Sequence, residues 1–243
     1  MRRDARIAGV LYVLLGVLAP VRLIYIPKAV LVSGNAQATA ANIASHEAIF
    51  RLAILTDVMA GLLTLFVTMA LFRLFRATDR DVASIMLILG GLMVTPIYFF
   101  NLVNDAGALV VAKAPSYLAA FNQQQREGLV SLFLRLHSYG VVVNEMFWGL
   151  WLLPLGILIL ESRLMPRFVA VWLFLNGGAY VLLSVIGILS PSLTTSVSGL
   201  LFPLQLGEIV AMLWLAFGRL PPDPSHDCSI DASASALATS RSA

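Results

Sequence analysis

Apolar residues run along this chain in long blocks, and six of them reach the length of about 20 mostly apolar residues that a membrane-crossing helix needs. They are roughly Ile7–Ile26, Arg51–Phe72, Val82–Val103, Tyr139–Leu160, Phe168–Leu189 and Gly199–Phe217. The pattern predicts an all-α, polytopic membrane helix bundle with six transmembrane helices, occupying residues 1–220. After Leu220 the chain turns to Pro221-Pro222-Asp223-Pro224 and then to Ser, Ala and Asp. That composition predicts a disordered cytoplasmic tail over 221–243.

Basic residues orient the spans. Arg2, Arg3 and Arg6 precede the first, Arg73, Arg76 and Arg80 join the second to the third, Arg163 and Arg167 join the fourth to the fifth, and Arg219 follows the sixth. The other junctions hold only Lys28, Lys113 and Arg126, with Arg51 at a helix mouth. By the positive-inside rule both termini are cytoplasmic. Two outer loops are long. One runs from Ser33 to His46 with Ser45 as the expected N-cap of the second span. The other is opened by Pro115-Ser116 and carries a short interfacial helix with Tyr117, Leu118 and Phe121 on one side.

Composition strengthens the membrane assignment: 59% of residues are hydrophobic and 12% charged, with a mean hydropathy of +0.88. A water-soluble fold cannot hide that much apolar surface. The net charge of +3 is topology information and not a nucleic-acid footprint. The lone Cys228 excludes an intrachain disulfide and a Cys-based metal site. Met1 to Arg6 looks like a signal n-region, but the run after it is too long for a cleaved signal and is read as the first span. A bilayer is the implied partner, and the cytoplasmic (inner) membrane the implied location.

The polar residues inside the spans carry the candidate chemistry. The densest stretch starts at Arg135-Leu136-His137-Ser138-Tyr139-Gly140 and continues through Asn144-Glu145. With Arg22, Asp57, Asn101, Asp105 and Glu208 these residues define a candidate polar cavity. Counting from the cytoplasmic ends, Asp57 and Glu145 lie about 24 Å away, in the outer third of a core about 30 Å thick. Arg22, Arg51 and Arg135 nearly balance Asp57, Asp105, Glu145 and Glu208, which suits an ion-pair network. Within it Glu145 is expected to pair with Arg22 or Arg135, or to bond near His137. The stripe Asp57, Gly61, Thr64 and Thr68 marks close helix packing. Trp148, Trp151, Trp172 and Trp214 are expected to serve packing or the interface. A lone His with carboxylates on other helices could hold zinc. Without an HExxH, or a Ser or Cys nucleophile beside a base, an enzyme is not favoured, and neither a cofactor nor a metal is implied.

An internal repeat is a further expectation. Asp57 is followed by Gly61-Leu62-Leu63-Thr64, Glu145 by Gly149-Leu150-Trp151-Leu152, and Glu208 by Met212-Leu213-Trp214-Leu215. Arg6, Arg80 and Arg167 each precede a glycine by ten residues: Gly16, Gly90 and Gly177. Three hairpins about an axis along the membrane normal would place the three acids at one depth. Chance alignment of Leu-rich helices is the competing explanation.

Five ordered blocks carry a family likeness: Ala5-Arg6-Ile7-Ala8-Gly9-Val10-Leu11-Tyr12, Arg51-Leu52-Ala53-Ile54-Leu55-Thr56-Asp57, Leu136-His137-Ser138-Tyr139-Gly140, Phe147-Trp148-Gly149-Leu150-Trp151-Leu152-Leu153-Pro154-Leu155-Gly156, and Leu206-Gly207-Glu208. The chain resembles a bacterial multi-pass membrane family filed as a domain of unknown function, number 4386. The likeness implies the topology and assigns no catalytic residue. Two functions fit the polar groups. One is small-solute or proton-linked transport, or ligand sensing, from an outward-facing cavity whose ligand the residues do not name. The other is a structural or membrane-stress role through partners, with the cluster as interhelical glue.

Overall fold

The computed structural model describes residues 2–218, and every regular element among them is helical. The expected tail over 221–243 lies outside the described residues. Helix α1 (Arg2–Pro20) runs through a π turn at Val21–Tyr25 into α2 (Ile26–Val30). There follow α3 (Ala36–Ser45), α4 (Glu47–Phe75), α5 (Arg80–Leu87) and, across a second π turn at Ile88–Met93, α6 (Val94–Ala112). The last three are α7 (Gln123–Ser162), α8 (Arg167–Leu189) and α9 (Thr194–Phe217).

Five helices among the described residues are long and apolar enough to cross a membrane: Glu47–Phe75, Arg80–Ala112, Gln123–Ser162, Arg167–Leu189 and Pro191–Phe217. They contain the second to sixth expected spans. The first expected span lies in the helical segment over 2–30, which packs between α4 and α9.

Local chemistry sets the boundaries. Asp79 caps α5 by accepting from Asp81 N and Val82 N, each at 2.9 Å. Asn122 and Gln125 form a capping box at the start of α7. Arg163 takes a left-handed conformation (φ 53°) that ends α7 and turns the chain into α8.

Two outer loops depart from expectation. The segment after Ser33 is mostly the Ala-rich helix α3, which Asn35 caps by accepting from Ala38 N at 2.9 Å. Ala is the strongest helix former, and that outweighs the loop-like Asn content. Ser45 therefore ends α3 instead of capping α4, whose N-cap is His46. The second loop holds a single 3₁₀ turn, Ser116–Leu118, rather than an interfacial helix. The polar Gln123–Glu127 stretch is the first turn of α7, whose 40 residues span about 60 Å, twice a bilayer core.

The long helices form a closed ring. Around it, α1 touches α4, α4 touches α6, α6 touches α7, α7 touches α8, α8 touches α9, and α9 returns to α1. At the end bearing Arg76 and Arg163 the ring is filled by an apolar core that includes Leu71, Phe75, Leu152, Leu155, Leu173 and Leu215. A smaller apolar cluster of Val30, Ile43, Phe50, Leu109 and Val130 closes part of the opposite end. Between the two lies the polar region.

Close backbone approach holds the filled half together. A Cβ on Gly9 would sit 2.3 Å from Ala216 N, and one on Gly149 would sit 2.5 Å from Gly177 O. Such contacts replace the hydrophobic drive that lipid removes between membrane helices. Gly9→Ala and Gly149→Ala should each lower the unfolding free energy by about 1–3 kcal/mol, measured by denaturant unfolding in mild detergent. Gly178→Ala, whose added Cβ meets no atom within 4 Å, should be neutral or stabilise by up to about 1 kcal/mol.

Candidate functional site

Arg22 is the hub. It sits in the π turn that follows Pro20, and the turn's wider winding shifts its side chain relative to the α1 stripe. Its Nε donates to Asp57 Oδ2 on α4 at 2.9 Å, and its Nη2 donates to Asp105 Oδ2 on α6 at 2.6 Å. The same Nη2 lies 2.8 Å from His137 Nε2 on α7. His137 Nδ1 is 3.2 Å from Asp105 Oδ1. A proton on Nδ1 satisfies both contacts: Nδ1–H donates to Asp105, and Nε2 accepts from Arg22. Asp57, Asp105 and His137 are all buried. One guanidinium thus ties four helical segments together.

A cavity of about 280 Å³ lies beside this cluster. Its wall takes Arg22 and Tyr12 from the first segment, Asp57 and Thr64 from α4, Tyr98 and Asn101 from α6, and His137, Asn144, Trp148 and Trp151 from α7. Tyr180 of α8 and Gln205 and Glu208 of α9 complete it. Tyr12 donates its hydroxyl to Glu208 Oε1. The aromatic rings touch: Tyr12 and Trp151 centroids are 5.7 Å apart, Tyr98 and Trp148 6.3 Å, and Trp148 and Tyr180 5.9 Å.

Asp57 and Glu208 are both held from the first segment, Asp57 by Arg22 and Glu208 by Tyr12.

Seven of the nine residues singled out from the sequence meet here: Arg22, Asp57, Asn101, Asp105, His137 and Asn144 in or beside the cluster, and Glu208 on the cavity wall beside Tyr12. Two do not. Arg135 is exposed. Glu145 lies on the α7 face shared with Gly149, which packs against Gly177 and Val181 of α8. Its buried Oε2 has no hydrogen-bond partner among the described residues. The expected pairing of Glu145 with Arg22 or Arg135 is thus corrected, because Asp57, Asp105 and His137 occupy the guanidinium of Arg22. Arg51 also leaves the network: it is exposed and pairs with Glu47 one helical turn away at 2.8 Å. The near-balance of charge becomes one Arg against Asp57, Asp105 and Glu208.

The aromatic wall was not anticipated. Trp148 and Trp151 face the cavity, whereas Trp172 packs on Gly207 and Trp214 on Phe168. Tyr12 held the available signal, since a phenol placed mid-span needs a hydrogen-bond partner in hydrocarbon. The α4 stripe is buried as expected. Thr64 and Thr68 return their hydroxyls to Ala60 O at 2.8 Å and Thr64 O at 2.9 Å, and a Cβ on Gly61 would meet Tyr98 Cβ at 3.1 Å.

Asp57, Asp105 and His137 offer ligand atoms within 4.8 Å of one another, a spacing that could hold a metal ion. Arg22 is bonded to all three, so a divalent ion would have to displace a fixed positive charge.

The family described as "Domain of unknown function (DUF4386)" matches residues 7–218. This chain belongs to that family. Four of the five blocks that carry the resemblance lie within the match, and the first overlaps its start. The curated proteins and the solved structures compared with the chain contain no match. Family membership and the apolar helices together make this an integral, multi-pass membrane protein.

Arg22→Met should cost about 3–5 kcal/mol of unfolding free energy, because it strands Asp57 and Asp105 without their cation. Arg135→Ala should stay within about 0.5 kcal/mol of the parent. Glu145→Gln should be neutral or stabilising, since it removes charge from an unpartnered buried oxygen. Unfolding midpoints in nanodiscs read all three.

Proposed function

We infer that the protein binds a small solute in the cavity, for transport or sensing, from the side opposite its basic junctions. The observation that carries this reading is the hollow of about 280 Å³ itself, whose wall combines the polar side chains of Asn101, Asn144 and Gln205 with aromatic rings. No hydrogen bond among the described residues engages the side chain of Asn101 or Asn144, and the Oδ1 of each is buried without a partner. One observation favours the structural alternative, with the cluster as interhelical glue. Arg22, Asp57, Asp105 and His137 satisfy one another and join four helical segments.

The topology under this reading is six spans in the cytoplasmic membrane, with the first segment as a full member of the ring and both termini cytoplasmic. The ring order is also what three consecutive hairpins about an axis would produce. Reporter fusions after Arg76 and Arg163 should read cytoplasmic, and fusions near Gly34, Pro115 and Thr195 external. A single inverted hairpin would overturn the orientation.

A thermal-shift screen of small solutes in nanodiscs tests the binding role. A solute at about 100 times its Kd stabilises by about 2.7 kcal/mol. The response should vanish in the folded double variant Asn101→Leu, Asn144→Leu. If that variant is simply more stable and no solute shifts the parent, the cluster is structural.

A further inference from the structure

The polar side chains around the hollow divide into those already engaged and those left open. The acids are engaged. Arg22 donates to Asp57 and Asp105, His137 lies against Asp105, and the phenols of Tyr12 and Tyr180 bond Glu208. Tyr98 pairs with Thr64. The open groups are mostly of one kind. The hydrogen bonds of Arg22 use Nε and Nη2 and leave Nη1. In Asn101 and Asn144 the Oδ1 is buried, so Nδ2 is the amide atom open to the hollow. Guanidinium and amide nitrogens only donate. Gln205 also lines the wall, and its amide offers a donor and an acceptor.

Packing fixes this orientation for Asn101. A Cβ on Gly140 would sit 1.9 Å from Asn101 Oδ1, so the oxygen lies against the Cα–H of Gly140. An oxygen accepts a weak C–H···O contact there, whereas an amide NH₂ would set hydrogen against hydrogen. The glycine thus turns the donor end of Asn101 towards the hollow. On α7, His137, Gly140 and Asn144 follow one another at three and four residues and share a face. Arg22 meets His137, Asn101 meets Gly140, and Asn144 comes next, so the three donors converge.

Open donors beside engaged acids call for a ligand that accepts. Charge narrows its class. Asp57, Asp105 and Glu208 outnumber the basic groups Arg22 and His137, so a further anion is repelled. An ammonium group would set its own N–H bonds against the open donors. What remains is an uncharged acceptor such as a carbonyl oxygen. Tyr12, Tyr98, Trp148, Trp151 and Tyr180 line the rest of the wall, and such rings pair favourably with another aromatic ring. The volume of about 280 Å³ is near the lower end for small-molecule pockets, about 300–1,000 Å³, so the body is small.

We propose that the cavity binds a small, uncharged aromatic carbonyl compound, whose oxygen accepts from Nδ2 of Asn101 and Asn144 beside Nη1 of Arg22. The proposal rests on the binding role inferred above and adds the ligand's chemical class.

The test uses the full chain in nanodiscs and follows the thermal unfolding midpoint with four naphthalene probes at one bilayer mole fraction. They are 1-acetylnaphthalene, naphthalene, 1-naphthoate and 1-naphthylmethylammonium. The ketone should raise the midpoint saturably by about 5 °C. Naphthalene, which accepts no hydrogen bond, should need about tenfold more compound for half the effect. The two ions should not act. An equal response to either ion overturns the uncharged class, and naphthalene matching the ketone overturns the role of the donors; both leave the binding role standing. If no probe acts but the solute screen finds another ligand, this proposal falls alone; if nothing acts in either, both fall. Asn101→Leu and, independently, Asn144→Leu should each weaken the ketone by about fivefold and leave naphthalene unchanged. Equal weakening of both probes, or of neither, in variants folded by their own midpoints rejects hydrogen bonding by the amides.

Discussion

A largely buried guanidinium must be neutralised, and this fold is arranged around doing so for Arg22. Here Asp57, Asp105 and His137 surround it from three other helices. Each buried charge costs free energy unless it is paired, so the four segments adopt the relative height and rotation that lets these groups meet. The π turn after Pro20 is part of that arrangement. It places Arg22 in the cluster and diverts α2 towards α3 and α4.

That diversion divides the ring into two unlike halves. At the basic end, apolar side chains interlock and glycines let helix backbones meet, so α1 and α9 lie in contact. There Arg6 caps the end of α9, donating to Leu215 O at 3.2 Å and Gly218 O at 2.7 Å, which answers carbonyls that a helix end leaves unpaired. In the other half the helices are spaced by a polar cluster, and a fully satisfied cluster does not fill space as Leu and Phe do. The cavity and the unpaired amides both lie on that side.

The structure also separates charge that supports the fold from charge free for other purposes. Arg22, Asp57, Asp105 and His137 are mutually satisfied, and disturbing them costs stability first. Glu208 is bonded by the phenols of Tyr12 and Tyr180, and Glu145 has a carboxylate oxygen without a partner among the described residues. Neither is needed to hold the ring in the way Arg22 is. Glu208 lines the cavity, whereas Glu145 is turned towards α8.

Hydropathy over about 20 residues is a local property, so the chain alone determined the helices, their order and the hairpin turns. The capping chemistry of Asp79 and Asn122 was equally local. Intramembrane charge also announced itself, because Arg22, Asp57, Asp105 and His137 are costly anywhere in a span and must meet. Which partners they choose was not local. Arg51, Arg135 and Glu145 look equivalent to Arg22 and Asp57 by type and depth, and only helix rotation turned them outward or towards α8. The aromatic wall was hidden for the same reason, since Trp148 and Trp214 read alike until the ring sets one inside and the other against Phe168. The diversion of α2 towards α3 and α4 follows from the π turn. That turn depends on what packs beside it, and one helix's sequence does not contain its neighbours.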